Sequence, residues 1–305
     1  MVLERRTPGM DHSLYGYSAL PARPPIAWPD SRPVALWLCL HLEYWELEPP
    51  LTARHPSGIE GTWQTFSPDY RTFAHREYGN RIGFFRVVDA IDRLRLPVTV
   101  AVNAAVCERY PILVQECCDR GWEIASGGTY ATRMITSDMS ESEEIAYVRA
   151  SKDAVRAVAG IDPDGWIGQD FSESMRTPYI VAEHGFRYIA DWPNDEQPYW
   201  MSTDPPLVSV PQQTELDDVT LLWMRQVSTD RFPRMVDAGL TRLCRDGRRA
   251  GRTFVLNIHP WLFGQPHRVR YLREALDVIK GHDVWTTTAR DIAMHFANQA
   301  MEATP

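Results

Sequence analysis

The chain of 305 residues lacks a long apolar run and a block of basic residues. No apolar run approaches the roughly 20 residues that a membrane-spanning helix needs, and no apolar segment follows the basic start MVLERRTPGM. The formal net charge of -8 argues against a nucleic acid or an anionic membrane surface as partner. We therefore expect a cytoplasmic protein that acts on a small neutral molecule.

The sequence also lacks a cysteine pattern that would indicate disulfide bonds. The five cysteines are odd in number and show no C-x-x-C spacing. Most lie inside apolar segments, which predicts buried thiols rather than disulfides or metal ligands. They are Cys39, Cys107, Cys117, Cys118 and Cys244.

The signature motifs of two large enzyme classes are missing. No phosphate-binding glycine fingerprint follows the first apolar run, which argues against a Rossmann domain. Ser126 is followed by a glycine but has no G-x-S-x-G setting, which argues against a serine hydrolase.

What the chain does contain is a succession of short apolar runs separated by segments with helical spacing. Runs that are apolar on both faces indicate parallel strands covered by helices. Their alternation with helices predicts an α/β fold, a (β/α) barrel of about seven to eight strands that is closed or slightly irregular. The runs cover residues 34–40, 97–102, 122–126, 165–168, 187–190, 207–210, 253–258 and 284–288, and the clearest helical segments cover 82–94, 110–120, 140–159, 177–184, 231–250 and 267–280.

The length and the 44% hydrophobic content suit one barrel domain. We expect a single catalytic domain over residues 1–305, with an irregular N-terminal arm at 1–33 and a loop insertion at 47–75. Both irregular segments carry aromatic residues that are costly to leave in water, so we expect them to be ordered. These aromatic residues include Trp28, Trp63, Phe66 and Tyr70.

In such barrels the chemistry lies at the carboxyl ends of the strands. His41 and Glu43 are two residues apart at the end of the first run, so a continuing strand would place both on one face. Burial of Glu43 beside Trp37, Tyr44 and Trp45 predicts a raised pKa, in the range useful for a general base. Alternatively, Glu43 begins a loop and pairs with an arginine.

His259 ends another run, and Pro260 restricts its backbone to extended conformations. Its imidazole could protonate a leaving nitrogen, or it could simply bond a neighbouring carbonyl. Asp191 could orient His259, as a carboxylate fixes an imidazole tautomer. Asp191 and Asp195 could instead cap the turn in which they lie.

Further candidates come from strand ends and from a turn before a helix. Tyr78 and Arg81 lie in that turn and could hold a substrate carbonyl, although Arg81 could equally be a surface charge. Trp63, Trp166, Trp192 and Trp200 suggest an aromatic pocket, although tryptophans are also common packing residues. The candidate catalytic residues are Glu43, His259 and Asp191, and the candidate substrate-binding residues are His41, Tyr44, Tyr78, Arg81, Asn103, Gly127, Trp166, Gln169, Trp192 and Asp195.

Six fragments, in order along the chain, together resemble the polysaccharide deacetylase superfamily, and more closely its branch of cofactor-independent allantoinases and cyclic-imide hydrolases. The resemblance implies a deformed (β/α) barrel, hydrolysis of an amide or imide C–N bond, and a homo-oligomer, a dimer or tetramer. It also implies a general-base role for Glu43 and an acid or orienting role for His259. The fragments are YGNRIGFFRVVDAI, PVTVAVNAAV, RGWEIASGG, GWIGQD, FRYIADWPNDEQPYW and LNIHPWLFGQPHRV.

The chain departs from the metal-binding pattern that the resemblance implies. Deacetylases of this superfamily bind a divalent metal through an aspartate and two histidines, and the matching positions here are Tyr44, Gly127 and Ala131. None of these supplies the expected ligand. We therefore expect no metal, although zinc at a rebuilt site of His41, Glu43 and His259 stays an alternative. Gly127 in place of histidine would also open space for a flat ring.

The sequence thus predicts a metal-independent hydrolase that opens a small cyclic amide or imide. Glu43 would activate water, backbone N–H groups with Gln169 or Asn103 would stabilise the oxyanion, and His259 would protonate the departing nitrogen. One alternative is a hydrolase of linear amides, formamides or N-acetyl groups. Another is a non-catalytic ligand-binding protein on the same scaffold.

Overall fold

The computed structural model describes residues 7, 9–51, 53 and 68–302. Trp63, Phe66 and most of the predicted insertion at 47–75 lie outside the described residues. Within the described part of the chain, no helix combines the length and apolarity needed to cross a membrane.

The core of the fold is one curled, nearly all-parallel sheet. Its strands run in the order β6-β7-β5-β4-β3-β2-β1-β8, and β9 pairs with the first half of β1. Among the strand pairs of the described residues, β6–β7 alone is antiparallel. The strands are β1 Val34–Leu42, β2 Val98–Val102, β3 Glu123–Ser126, β4 Gly165–Trp166, β5 Tyr188–Ile189, β6 Tyr199–Trp200, β7 Val208–Ser209, β8 Arg252–Ile258 and β9 Val284–Thr287.

Helices connect most of the successive parallel strands, with β5 and β7 joined through β6 instead, and this confirms the predicted (β/α) barrel architecture. The α-helices are α1 Tyr70–Tyr78, α2 Phe84–Asp92, α3 Ala104–Arg109, α4 Pro111–Asp119, α5 Glu141–Ala159, α6 Thr177–Glu183, α7 Phe232–Gly247, α8 Pro260–Phe263, α9 Val269–Ile279 and α10 Ala289–Glu302. Two π-helical segments, Gly79–Gly83 and Val219–Met224, and four short 3-10 helices, Leu20–Ala22, Pro29–Ser31, Gln169–Phe171 and Thr229–Arg231, complete the described elements.

Strand β1 shows why the sequence forms a two-sided core. Its even-numbered residues, such as Leu36 and Leu40, pack against the helices, whereas Ala35, Trp37 and Cys39 face the inside of the curl. This alternation follows from the two-residue period of a strand. His41 continues the inner set, so the carboxyl end of β1 directs its polar groups into the mouth of the barrel.

The sheet does not close by direct pairing of its two outer strands β6 and β8. A hydrogen bond from the backbone N–H of Thr253 in β8 to the carbonyl of Glu196, just before β6, links the two sides instead (2.8 Å). The structure is thus a barrel with one irregular seam, close to the deformed barrel that was predicted.

The structure contains elements that the sequence pattern did not indicate. Strand β6 has only two residues, and helices α3 and α8 have six and four residues, too short for periodicity to be visible. Helix α1 begins inside the segment 47–75, which was expected to be irregular. Helix α10 packs Ala289, Ile292 and Ala293 against the inner cluster of the sheet.

Candidate active site

Glu43 and His259 face each other at the mouth of the barrel. Glu43 directly follows β1 and His259 directly follows β8, and these strands are paired neighbours. The Nε2 atom of His259 lies 3.8 Å from Oε1 of Glu43, and both side chains are largely buried. That distance is too long for a direct hydrogen bond and leaves the two groups able to act on one molecule between them.

Asp218 holds the opposite side of the His259 ring. Its Oδ1 lies 2.6 Å from Nδ1 of His259, and its Oδ2 accepts the backbone N–H of the same residue at 2.8 Å. A carboxylate on Nδ1 keeps the proton on that nitrogen and directs Nε2 toward the site. The prediction that Asp191 orients His259 is therefore wrong.

His41 stacks on His259 and completes the inner wall. The two imidazole rings are nearly parallel, at 5°, with centroids 4.3 Å apart. Nε2 of His41 lies 2.9 Å from Oδ1 of Asn257, and Asn257 in turn donates to Oε1 of Gln212 at 3.1 Å. Burial and the charge of His259 lower the pKa of His41 to about 3, so His41 is neutral at neutral pH.

A chain of two side-chain amides lies on the other side of Glu43: Gln169 contacts the carboxylate and Asn103 contacts Gln169. Nε2 of Gln169 donates to Oε1 of Glu43 at 2.8 Å. Nδ2 of Asn103 donates to the carbonyl of Gly127 at 2.6 Å and to Oε1 of Gln169 at 3.2 Å. These contacts orient the carboxylate, whereas the sequence predicted an oxyanion-binding role for the same two amides.

The charges of the pair are opposite at neutral pH. Burial alone would lower the pKa of His259, but the carboxylates of Asp218 and Glu43 outweigh it and raise the pKa to about 9. Burial alone would raise the pKa of Glu43, but the charge of His259 and the Gln169 hydrogen bond contribute to a net lowering. The predicted raised pKa of Glu43 is therefore wrong, because burial is outweighed by its partners.

Glu43 and His259 border a small cavity of about 20 Å³. This volume is enough for about one water molecule. Asp170 and Asp217 also line it, and burial raises their pKa values to about 7 and about 6. The other lining residues are His41, Gln169, Phe171 and Val219.

The turn that carries Gln169 has an unusual backbone. Asp170 and Phe171 both adopt left-handed conformations, with φ of 51° and 54°. Asp191 fixes this turn from below, because its Oδ1 accepts the N–H of Gly168 at 2.7 Å. Asp191 thus supports the Gln169 turn and does not contact His259.

Three candidates that flank the first strand and the first helix lie away from the cavity. Tyr44 packs against aromatic neighbours, including Tyr110 and Tyr130, with ring centroids about 6 Å away. The hydroxyl of Tyr78 accepts a hydrogen bond from Arg86. The side chain of Arg81 is 71% exposed and pairs with Glu77. Arg81 is therefore a surface charge, which was the alternative given for it in the sequence analysis.

Gly127 does not open space for a ring. A Cβ atom at this position would lie 3.0 Å from the backbone N of Val102. The glycine is needed because the chain after β3 passes close to the end of β2. The predicted space beside Gly127 is therefore filled by protein backbone.

The tryptophan candidates and Asp195 serve packing and turn formation. Trp166 is fully buried beside Phe186, and Trp192 packs against Tyr15 of the N-terminal arm. Asp195 forms an ion pair with Arg23 at 2.7 Å and accepts two backbone N–H groups of its own turn. None of them lines the cavity at Glu43.

A much larger cavity, of about 810 Å³, lies elsewhere on the molecule. It is bounded by the N-terminal arm, the loop after β5 and the end of α10, and the Arg23–Asp195 ion pair forms part of its wall. Trp200 lines this larger cavity and does not line the small one at Glu43 and His259. The candidate site is nevertheless placed at the small cavity, because the opposed carboxylate and imidazole lie there.

The residues of the site do not fit the divalent metal of the deacetylases. The rings of His41 and His259 are stacked face to face, so their nitrogen lone pairs lie in parallel planes and do not converge on one ion. Among the described residues, one group, Asp217, Asp218 and His259, brings three ligand atoms within 4.8 Å of one another. In that group both oxygens of Asp218 already accept hydrogen bonds from His259. The arrangement is a hydrogen-bonded carboxylate–histidine pair.

Asp217 and Asp218 belong to the candidate site and were missed by the sequence analysis. They lie in a polar segment between β7 and β8, immediately before the π-helical segment Val219–Met224, and they end no apolar run. The only sequence signal is an acidic pair before an apolar segment, and that pattern is typical of any helix start.

Several known proteins are similar to this chain in sequence or in fold. No family model matches the chain. A protein of Schizosaccharomyces pombe described as a putative polysaccharide deacetylase is 24% identical over 237 residues, which cover 71% of this chain and 73% of that protein.

Two solved structures are similar over almost their full lengths. The crystal structure of a PuuE allantoinase matches with a TM-score of 0.80 and 24% identity, covering 90% of this chain and 93% of that one. A putative polysaccharide deacetylase from Mycobacterium smegmatis matches with a TM-score of 0.75 and 26% identity, covering 92% and 95%. The chain therefore has the fold of these proteins and is distantly similar in sequence to proteins described as polysaccharide deacetylases, in agreement with the resemblance found in the sequence.

Proposed function

We propose that the protein hydrolyses a C–N bond of a small cyclic amide or imide without a metal ion. The observation that carries the proposal is the opposed pair of Glu43 and His259, 3.8 Å apart across a cavity with room for about one water molecule. The similarity to an allantoinase structure supports a ring as the substrate.

The geometry supports a hydrolysis in which one group accepts a proton and the other donates one. Glu43 removes a proton from the water as the water oxygen bonds to the carbonyl carbon of the ring. The C–N bond then breaks, and His259 transfers its Nε2 proton to the departing nitrogen. The products are a carboxyl group and an amine or amide on one opened chain, and proton transfer from Glu43 to His259 restores the resting pair.

In this proposal the charge of His259 supplies the stabilisation that a metal ion supplies in the metal-dependent deacetylases. The imidazolium faces the position where the oxyanion develops, in a largely buried site where electrostatic interactions are stronger than in water. Ring strain and the electron-withdrawing second carbonyl of an imide also lower the need for a Lewis acid. These features support a metal-independent reaction on a ring.

The decisive experiment measures hydrolysis by chelator-treated protein together with elemental analysis of the same sample. The substrates are succinimide, phthalimide, dihydrouracil, hydantoin and allantoin, with acetamide, formamide and N-acetylglucosamine as open-chain or N-acetyl comparisons. We expect turnover of at least one ring with far less than one metal ion per chain.

Two results would contradict the proposal. Activity that disappears with the chelator and returns with zinc would show a metal-dependent reaction. Hydrolysis of the comparison amides with no hydrolysis of any ring would indicate the linear-amide alternative.

A further inference from the structure

A buried arginine lies in a cage of three tryptophans beside the catalytic pair. Arg76 on α1 is only 3% exposed. Its guanidinium carbon lies 3.4 Å from the ring centre of Trp261, 5.0 Å from that of Trp45 and 5.2 Å from that of Trp223. A guanidinium on three indole faces is a cation–π arrangement, in which the positive charge is attracted to the electron-rich ring faces.

The cage touches both partners of the pair. The indole N–H of Trp45 donates to Oε2 of Glu43 at 3.3 Å. Trp261 is two residues after His259, and the rings of these two residues meet edge to face at 6.2 Å. One buried cation therefore orders the tryptophan next to the base and the tryptophan next to the acid.

The backbone after α1 packs closely against the two strand ends that carry Glu43 and His259. Gly79 lies so close to Trp261 that a Cβ atom would be 2.7 Å from the Trp261 backbone N. Nδ2 of Asn80 donates to the backbone carbonyl of Glu43 at 2.8 Å. The segment from Arg76 to Asn80 thus contacts the chain at both strand ends that carry the catalytic pair.

Burying a cation destabilises the folded protein, so we expect the charge to have a further role. Removing a guanidinium from water costs free energy that a neutral side chain of similar volume would not cost. The position of the charge indicates such a role, because a positive charge near Glu43 favours the ionised form of its carboxylate.

We propose that Arg76 is a positioning residue for the hydrolysis, acting through Trp45 and Trp261 to fix the Glu43–His259 pair, with its charge adding to the attraction that His259 exerts on the Glu43 carboxylate. This inference rests on the proposed function for its kinetic test. It also makes a claim about the ionisation of Glu43 that does not depend on turnover.

Other charged and titratable groups also face Glu43, and the test must separate their effects from that of Arg76. They come from β1, from the chain after β8, from the Gln169 turn and from the segment before the π helix. These groups are His41, His259, Asp170, Asp217 and Asp218. None of these groups is substituted in the Arg76 variants. A change in the ionisation of Glu43 can therefore be attributed to the change at residue 76.

The test compares Arg76→Met, Arg76→Lys and a control, Arg270→Met, which removes an exposed arginine stacked on Tyr271 at 4.3 Å. Arg76→Met keeps an apolar stem without the charge, whereas Arg76→Lys keeps the charge without the planar group. The measurements are the pH profile of kcat and of kcat/KM, and carboxyl-carbon NMR titration of Glu43. Near-UV circular dichroism and thermal unfolding show whether each variant is folded.

We expect Arg76→Met to lower kcat by at least about tenfold with a smaller change in KM, because the pair loses its alignment. We also expect the Glu43 titration and the acid limb of the rate profile to move up by about half a pH unit or more. Arg76→Lys should restore the acid limb but only part of kcat, and Arg270→Met should behave as the wild type.

A folded Arg76→Met protein with the wild-type Glu43 titration and the wild-type pH profile would overturn the inference, whether or not kcat falls. If Arg76→Met does not fold, Arg76→Lys decides: a folded lysine variant with unchanged kcat would overturn the positioning role. If the wild type hydrolyses no ring, the proposed function fails, and the NMR titration still tests the effect of Arg76 on Glu43.

Discussion

Asp218 binds His259 at two points, with one carboxylate oxygen on the ring nitrogen Nδ1 and the other on the backbone N–H. This double contact fixes both the rotation of the imidazole and the position of its backbone. Nε2 is consequently directed at Glu43, and the negative charge behind the ring favours the protonated form. The acid of the proposed reaction is thus oriented by a residue on the side of the ring opposite to Glu43.

Replacement of Asp218 by Asn should impair the acid more than it impairs folding. The wild-type pKa of His259 is about 9, so the protonated acid is present below that pH and is lost above it. The amide removes the charge that raises this pKa, and the basic limb of the kcat/KM profile should therefore move to lower pH. At pH 8 we expect a loss of kcat of about a hundredfold.

A second histidine–aspartate pair supplies the matched control. Asp237 lies 2.8 Å from Nε2 of His282 on the surface, and Asp237→Asn removes an equivalent contact far from the site. It should leave the pH profile unchanged. An Asp218→Asn protein with the wild-type basic limb would show that another group is the acid.

Replacement of Glu43 by Gln should remove the base while it keeps the shape of the side chain. Gln169 and Trp45 each donate to one of the two carboxylate oxygens, so the amide keeps one of these hydrogen bonds through its oxygen and loses the other. We expect kcat for the best ring substrate to fall by about a thousandfold or more, because general-base catalysis is lost. The control is Glu116→Gln, which changes a half-exposed carboxylate that pairs with Arg120 on α4 and should leave kcat unchanged.

Ligand binding separates this result from the non-catalytic alternative. A Glu43→Gln protein that binds the ring with near wild-type affinity but does not turn it over supports catalysis by Glu43. If wild type and variant bind equally and neither shows turnover, the chain is a binding protein.

The strand ends were predictable from sequence because each buried strand is a visible apolar run. This is why Glu43, His41, Gln169 and His259 were found, since each directly follows or ends such a run. Asp218 was not found, because it reaches the site from a segment between β7 and β8 that has no periodicity. The sign of the Glu43 pKa shift was also not predictable, since it depends on the distances to His259 and Gln169 and not on burial alone.

Glycine positions illustrate the same limit. A glycine that replaces a histidine of a related pattern suggests open space, but the structure shows the Val102 backbone where the side chain of residue 127 would lie. The sequence shows that residue 127 has no side chain. It does not show whether the space beside it is empty or is filled by the backbone of a neighbouring segment.

Replacement of Gly127 by Ala should therefore destabilise the protein. The added methyl group would be 3.0 Å from N and 3.1 Å from C and O of Val102, all backbone atoms that cannot rotate away. We expect the free energy of unfolding to fall by about 1–3 kcal/mol, as for other overpacked sites. Denaturant titration measures this, with Gly281→Ala as control, because its Cβ would meet an ordinary contact at 3.4 Å. Equal stability of the two variants would show that β2 can shift without cost.

Two carboxyl groups below the Gln169 turn make the stability of the protein depend on pH. Burial raises the pKa of Asp191 to about 7, and burial together with the charge of Asp191 raises the pKa of Glu173 well above its usual range. An acid with a raised folded-state pKa binds its proton more tightly in the folded protein. Its stabilising contribution is therefore complete below the unfolded-state pKa, near 4, and is lost as the pH rises through the folded-state pKa.

Replacement of Glu173 by Gln removes one of these two titrating groups and should flatten that dependence. At pH 8 we expect the free energy of unfolding to rise by about 1 kcal/mol or more relative to wild type, since one pKa unit corresponds to about 1.4 kcal/mol. At pH 4 the difference should vanish, because both carboxyl groups of the wild type are then largely protonated in the folded state. Glu183→Gln, an exposed residue at the end of α6, is the control and should show no such difference between the two pH values. Parallel stability curves for wild type and Glu173→Gln from pH 4 to pH 8 would contradict the raised folded-state pKa of Glu173 on which this prediction rests.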